Sequence, residues 1–77
     1  MNLIIDVGNT RIKAAVFEND RLVELVVFNH DELINEVGRI LRRFNITRGI
    51  ISSVAALSES MLRKLQEKCS LLILNSE

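Results

Sequence analysis

Leu3-Ile4-Ile5-Asp6-Val7-Gly8-Asn9-Thr10-Arg11-Ile12-Lys13-Ala14-Ala15-Val16-Phe17 is the stretch that decides the fold. Its first five residues are an apolar run interrupted by one acid, which predicts a strand buried on both faces. Gly8-Asn9-Thr10 is a turn signal. From Arg11 the pattern alternates, with Ile12, Ala14 and Val16 on one face and Lys13, Ala15 and Phe17 on the other. Glu18-Asn19-Asp20 marks a second short turn, and Leu22 to Phe28 is rich in valine and leucine. Three consecutive strands joined by tight turns predict an antiparallel meander.

Outward from this hairpin the period changes. Leu33, Ile34, Val37, Ile40, Leu41 and Phe44 fall at helical spacing, predicting an amphipathic helix over 30–44. Asn29 and Glu32 form a capping-box pattern, with Phe28 and Leu33 placed as a hydrophobic staple. Arg42 and Arg43 stand in the last turn, where the helix dipole favours cations. Asn45 is the expected left-handed stop. Gly49 to Val54 reads as a fourth, buried strand. Ser58 is placed to cap a second helix whose stripe is Met61, Leu62, Leu65 and Cys69, and Ser70 to Leu74 reads as a fifth strand. The order is β-β-β-α-β-α-β. Strand–helix–strand connections after a meander make the later strands parallel, giving a mixed α/β sheet.

Composition narrows the function classes. Nine apolar residue types make up 48% of the 77 residues, so a packed core is intended and disorder is excluded. Ten Lys+Arg balance ten Asp+Glu, for a formal net charge of zero. That balance argues against general nucleic-acid or anionic-membrane binding, which rests on excess positive charge. No apolar run approaches the ~18 residues of a membrane span, and the opening lacks the basic and apolar regions of a secretory signal. The single cysteine rules out an internal disulfide and suits a reducing, cytoplasmic setting. A chain this short buries only about 60% of its unfolded surface, so a partner is expected, either a second copy or the rest of a longer polypeptide.

The chemistry concentrates in Asp6-Val7-Gly8-Asn9-Thr10-Arg11-Ile12-Lys13. An acid in an apolar strand is expensive to bury without a cation or donors. Gly8 permits close approach of backbone to a ligand. Asn9 and Thr10 add short polar side chains beside their amides, and Lys13 shares a face with Arg11. An amide nest flanked by a metal-holding acid and a fixed cation meets the needs of a triphosphate with Mg²⁺. The same stretch also reads as an ordinary hairpin whose acid caps turn amides.

The opening resembles the first phosphate motif of the acetate kinase, sugar kinase, Hsp70 and actin superfamily. Together with Ile51-Ser52-Ser53-Val54 it is similar to the type III pantothenate kinases. The resemblance spans essentially all 77 residues but only the first third or so of such an enzyme. It implies a ribonuclease-H-like half-domain over residues 1–77, the N-terminal ATPase-like (actin-like) part of a truncated kinase. It further implies ATP-dependent phosphoryl transfer to the hydroxyl of pantothenate, the first step of coenzyme A synthesis. Asp6 would organise Mg²⁺ through water; Gly8, Asn9 and Thr10 would donate to phosphate oxygens; Lys13 would neutralise the terminal phosphates. Family members use a monovalent cation, potassium or ammonium, and work as dimers. Their general base, second phosphate motif, adenosine-binding segment and monovalent-cation site have no counterpart in this chain, so turnover by it alone is not expected. A proline common after Ser-Ser-Val is also missing, the sequence continuing Ala55-Ala56-Leu57.

Ser52 and Ser53 end the fourth strand, either facing the cleft as substrate-side residues or capping a turn. His30, the only histidine, is expected to be exposed and non-catalytic. Cys69 reads as buried packing, with no partners for a zinc site. Arg39, Arg42, Arg43 and Arg48 form a basic cluster without interleaved aromatic residues, expected to be a solvated helix end. The rival reading is a non-catalytic half-domain that binds nucleotide weakly or serves as a protein-interaction or transcriptional-accessory module.

Overall fold

The structure, a computed structural model, describes residues 1–52, 57–69 and 72–74. Its strands are β1 (Asn2–Val7), β2 (Arg11–Glu18), β3 (Arg21–Asn29), β4 (Arg48–Ser52) and β5 (Leu72–Leu74). Between them stand α1 (Leu33–Arg43), entered through a 3-10 turn at His30–Glu32, and α2 (Glu59–Lys68). The five strands form one sheet in the order β3-β2-β1-β4-β5. β1 pairs antiparallel with β2, and β2 with β3. β4 runs parallel to β1, and β5 parallel to β4. The expected mixed α/β sheet and element order are both present.

The core lies on one face. Leu3, Ile5 and Val7 of β1, Ile12, Ala14 and Val16 of β2, and Ile51 of β4 meet Leu33, Val37 and Ile40 of α1 and Leu65 of α2. Cys69 joins this core at 4% exposure, as its place on the helical stripe predicted. Phe28 and Leu33, the expected staple pair, are both buried within it. Ser58 caps α2, its Oγ accepting from the Met61 N–H at 3.2 Å.

Two expectations need correction. β1 and β4 are not buried on both faces: Ile4 and Ile50 are 42% and 43% exposed, because both helices pack against the opposite side. The continuous apolar run concealed a strict alternation of exposure along β1. Asn45 is not left-handed either. Phe44 ends α1 in extended backbone, and the exit is held by pairing with the N-terminus. The Met1 ammonium donates to Asn45 O at 2.9 Å, and the Thr47 N–H donates to Met1 O at 2.8 Å. Among the described residues the left-handed one is Asn19, φ 56°, in the turn between β2 and β3. The arginine cluster is solvated as expected, with Arg42, Arg43 and Arg48 exposed, and two of its members also form ion pairs. Arg43 Nη1 lies 2.9 Å from Glu24 Oε2 on β3, and Arg39 Nη2 lies 3.1 Å from Glu36 Oε1.

Candidate phosphate-binding site

The site is built by strand register. In β1, side chains alternate between the core and the uncovered face, and Asp6 falls between buried Ile5 and Val7. It therefore points to the uncovered face and is exposed, not desolvated as its apolar neighbours suggested. Across the antiparallel pair its partner is Lys13, and across the parallel pair its partner is Ser52. Directly paired residues share a face with Cβ atoms about 4.5–5.5 Å apart. The register thus aligns Ser52, Asp6 and Lys13 in one row across β4, β1 and β2. Asp6 forms no ion pair within 4.0 Å among the described residues. Ser53 lies outside the described residues.

This row sits at the carboxyl ends of the parallel strands β1 and β4, beside the tip of the β1–β2 hairpin. There the Gly8 N–H, expected to donate to phosphate, instead donates to Arg11 O at 2.9 Å, which leaves Asn9 and Thr10 as the free amides of the tip. A Cβ at Gly8 would stand 2.7 Å from that same oxygen, so hairpin closure itself demands glycine. Asn9 and Thr10 form an exposed bend, and their amides make no backbone hydrogen bond among the described residues. The tip thus presents two available amide donors and two short polar side chains, with an acid and a cation two residue rows below Gly8 and Arg11. Arg11 is exposed on the Lys13 face, adding a second cation at the hairpin base.

One residue of this neighbourhood was missed. His30, expected to be exposed, is half-buried, and its Nε2 lies 2.7 Å from Gly8 O. The signal was the pairing of Arg11 with Asn29, which sets residue 30 beside the hairpin tip. That pairing is invisible in helical periodicity, which places His30 in a helix's first turn. A shallow depression lined by Asn2, Ile4, Phe17, Asn19 and Asp20 lies at the other end of β1 and touches none of these residues.

The profile of the type III pantothenate kinase family matches residues 2–76. The chain belongs to the type III pantothenate kinase family. It is 41% identical over 76 residues to the type III pantothenate kinase of Christiangramia forsetii, covering 97% of this chain and 31% of that relative. It is 47% identical over 55 residues to that of Flavobacterium johnsoniae, covering 70% of this chain and 22% of the relative. With that of Bacteroides fragilis it shares 33% identity over 67 residues, covering 87% of this chain and 27% of the relative. The chain therefore spans about a third or less of the length of these relatives.

Proposed function

We propose that this chain is the phosphate-binding wall of an ATP-dependent pantothenate kinase, a transferase acting in coenzyme A biosynthesis. In this reading residues 1–77 are its N-terminal ATPase-like half-domain, and the 3-2-1-4-5 strand order supports a ribonuclease-H-like relationship. The observation that carries the proposal is the register that sets Asp6 beside Lys13 at the tip of the Gly8-Asn9-Thr10 hairpin. Family membership supplies the phosphoryl-transfer chemistry that such a row would serve.

Each residue then has a distinct task. The Asn9 and Thr10 amides, with the Thr10 hydroxyl, donate to phosphate oxygens and fix the β- and γ-phosphates against the hairpin. Gly8 keeps backbone, not side chain, at that contact. Lys13 sets a positive charge where the terminal phosphate gathers negative charge in transfer. Asp6 is a single hard carboxylate on an exposed row. That donor set fits Mg²⁺, which keeps most of its waters and takes one or two carboxylates beside substrate phosphates. Bound there, the ion would neutralise charge between the phosphates. Ser52 completes the row on the β4 side, as a substrate-side residue. Catalysis by this wall is positioning and charge stabilisation, and the general base, the adenosine contacts and the potassium or ammonium site belong to other parts of the enzyme. The isolated chain is accordingly inactive, and the enzyme is cytoplasmic.

A second reading, a non-catalytic interaction module, is favoured by one observation. Pairing places Ile50, Ile4, Ala15 and Leu25 in an apolar row beside the polar one, with Ile4, Leu25 and Ile50 at 42–56% exposure. In the kinase reading the same row is where the remainder of the enzyme or a second copy packs. An amide-resolved NMR titration of the chain with Mg²⁺–ATP separates the two. The kinase reading expects shifts at Gly8, Asn9 and Thr10 that weaken in Asp6→Asn and Lys13→Ala. A folded spectrum with no response at millimolar nucleotide would favour the interaction module.

A further inference from the structure

We propose that His30 is a positioning residue of the phosphate loop, aiming the Asn9 amide through a hydrogen bond to the Gly8 carbonyl. The inference rests on the phosphate-binding reading above.

A two-residue hairpin is ordinarily closed by the i to i+3 bond, here the Arg11 N–H to Gly8 O. That bond is not made. Residues 9 and 10 form a bend, and only the reverse bond, Gly8 N–H to Arg11 O, spans the tip. Gly8 O is instead held by His30 Nε2 at 2.7 Å, from a residue 22 positions away. Since a carbonyl only accepts, Nε2 carries the proton.

The ring is itself delivered firmly. β3 remains in register with β2 up to Asn29, opposite Arg11. The chain then turns sharply, and the Asn29 N–H donates to Glu32 Oε1 at 3.0 Å. His30 thus leaves the ladder at a fixed point beside the hairpin tip.

The consequence follows from peptide planarity. Gly8 C=O and Asn9 N–H belong to one trans peptide unit and point in opposite directions. Holding the carbonyl on the His30 side fixes the direction of the Asn9 N–H. That amide makes no other backbone bond among the described residues. A donor already aimed before the anion arrives loses less freedom on binding. His30 touches no phosphate in this account. It acts through Gly8.

The test compares His30→Gln, whose side-chain amide N–H reaches about as far as Nε2, with His30→Leu, which has no donor. The 77-residue chain is titrated with Mg²⁺–ATP by amide-resolved NMR, with Asp6→Asn as the control for phosphate binding. Losing one such bond should weaken the apparent affinity read at Asn9 and Thr10 by roughly three- to tenfold in His30→Leu. His30→Gln should stay within about twofold of the parent, the conservative donor restoring the bond. Long-range ¹⁵N–¹H correlation on the unsubstituted ring should show the proton on Nε2. Equal affinity in all three chains, equal loss in both variants, or a proton on Nδ1 alone would overturn the proposal.

Should the parent chain give no nucleotide response, the phosphate reading fails separately. The positioning is then decided by the Asn9 amide without ligand. Its shift and hydrogen exchange should change in His30→Leu and return in His30→Gln, and no change would overturn it. If His30→Leu does not fold, the ring proton and the Gln variant still decide.

Discussion

Two glycines of this chain should respond to the same substitution with opposite signs. At Gly8 an added Cβ stands 2.7 Å from the Arg11 carbonyl oxygen, a backbone atom of β2 whose residue is paired with Asn29 of β3. At Gly38, within α1, it stands 2.7 Å from Lys68 Cε, near the free end of a flexible side chain. Neither glycine has a positive φ, so no left-handed strain enters at either site. Gly→Ala gains about 0.4–1 kcal/mol by restricting the unfolded chain, and within a helix alanine exceeds glycine by about 0.8–1.0 kcal/mol. Gly38→Ala should therefore be neutral to stabilising by up to about 1 kcal/mol, Lys68 swinging aside.

At Gly8 the hairpin must open instead. Overpacking of this kind costs about 1–3 kcal/mol, and weakening the Gly8–Arg11 bond adds to it. After the unfolded-state gain, Gly8→Ala should lose about 0.5–2 kcal/mol. For a domain of this size each kcal/mol moves the melting temperature by about 4–8 °C. Urea and thermal unfolding by circular dichroism measure both variants, and the Asn9 and Thr10 amide shifts report whether the tip has moved. Gly8→Ala as stable as Gly38→Ala, with those shifts unchanged, would refute the argument that hairpin closure demands glycine.

The two faces of β1 give a second contrast. Ile5→Ala, at a wholly buried position, should cost about 2–5 kcal/mol in the same unfolding measurement. Ile4→Ala, on the adjacent residue and 42% exposed, should cost less than that, because part of its surface is already in water and its truncation on an uncovered face leaves no enclosed cavity. Ser58→Ala removes the acceptor for the Met61 N–H and should cost about 0.5–2 kcal/mol, with earlier fraying of α2 seen in amide exchange.

Much of the fold was legible because each element wrote its own period. The alternation of Ile12, Ala14 and Val16 and the spacing of Leu33, Val37 and Ile40 are local properties, and the buried set follows them. The β-β-β-α-β-α-β order then followed from those periods and the turn signals between them. What local pattern could not carry was pairing and coverage. Leu3-Ile4-Ile5 reads the same whether one face or both are covered; the placement of α1 and α2 on a single side decides it. Asn45 failed as a left-handed stop for a related reason. A helix exit is set by what the next segment must reach, here Met1, 44 residues away in sequence. His30 was misplaced because its neighbour across the sheet, not along the chain, determines what its ring meets.

The candidate site shows the same division between local pattern and pairing. Asp6 drew notice as an acid too costly to bury, yet it is exposed, so desolvation contributes nothing to its significance. Its meaning comes from register: it pairs with Lys13 on one side and Ser52 on the other, next to the apolar row of Ile50, Ile4, Ala15 and Leu25. With that face open to water, the attraction between Lys13 and a phosphate is screened at high dielectric, about 1 kcal/mol for unit charges at 4 Å. Covering the apolar row would exclude water from the flank of the polar one and raise the same attraction to about 4 kcal/mol at an effective dielectric of 20. The two rows are therefore coupled. On the proposed reading, whatever packs on Ile4 and Ile50 strengthens the phosphate grip of Asp6, Lys13 and the hairpin amides. On the same reading this chain, spanning about a third of its relatives, should hold nucleotide less tightly than an enzyme in which the apolar row is covered.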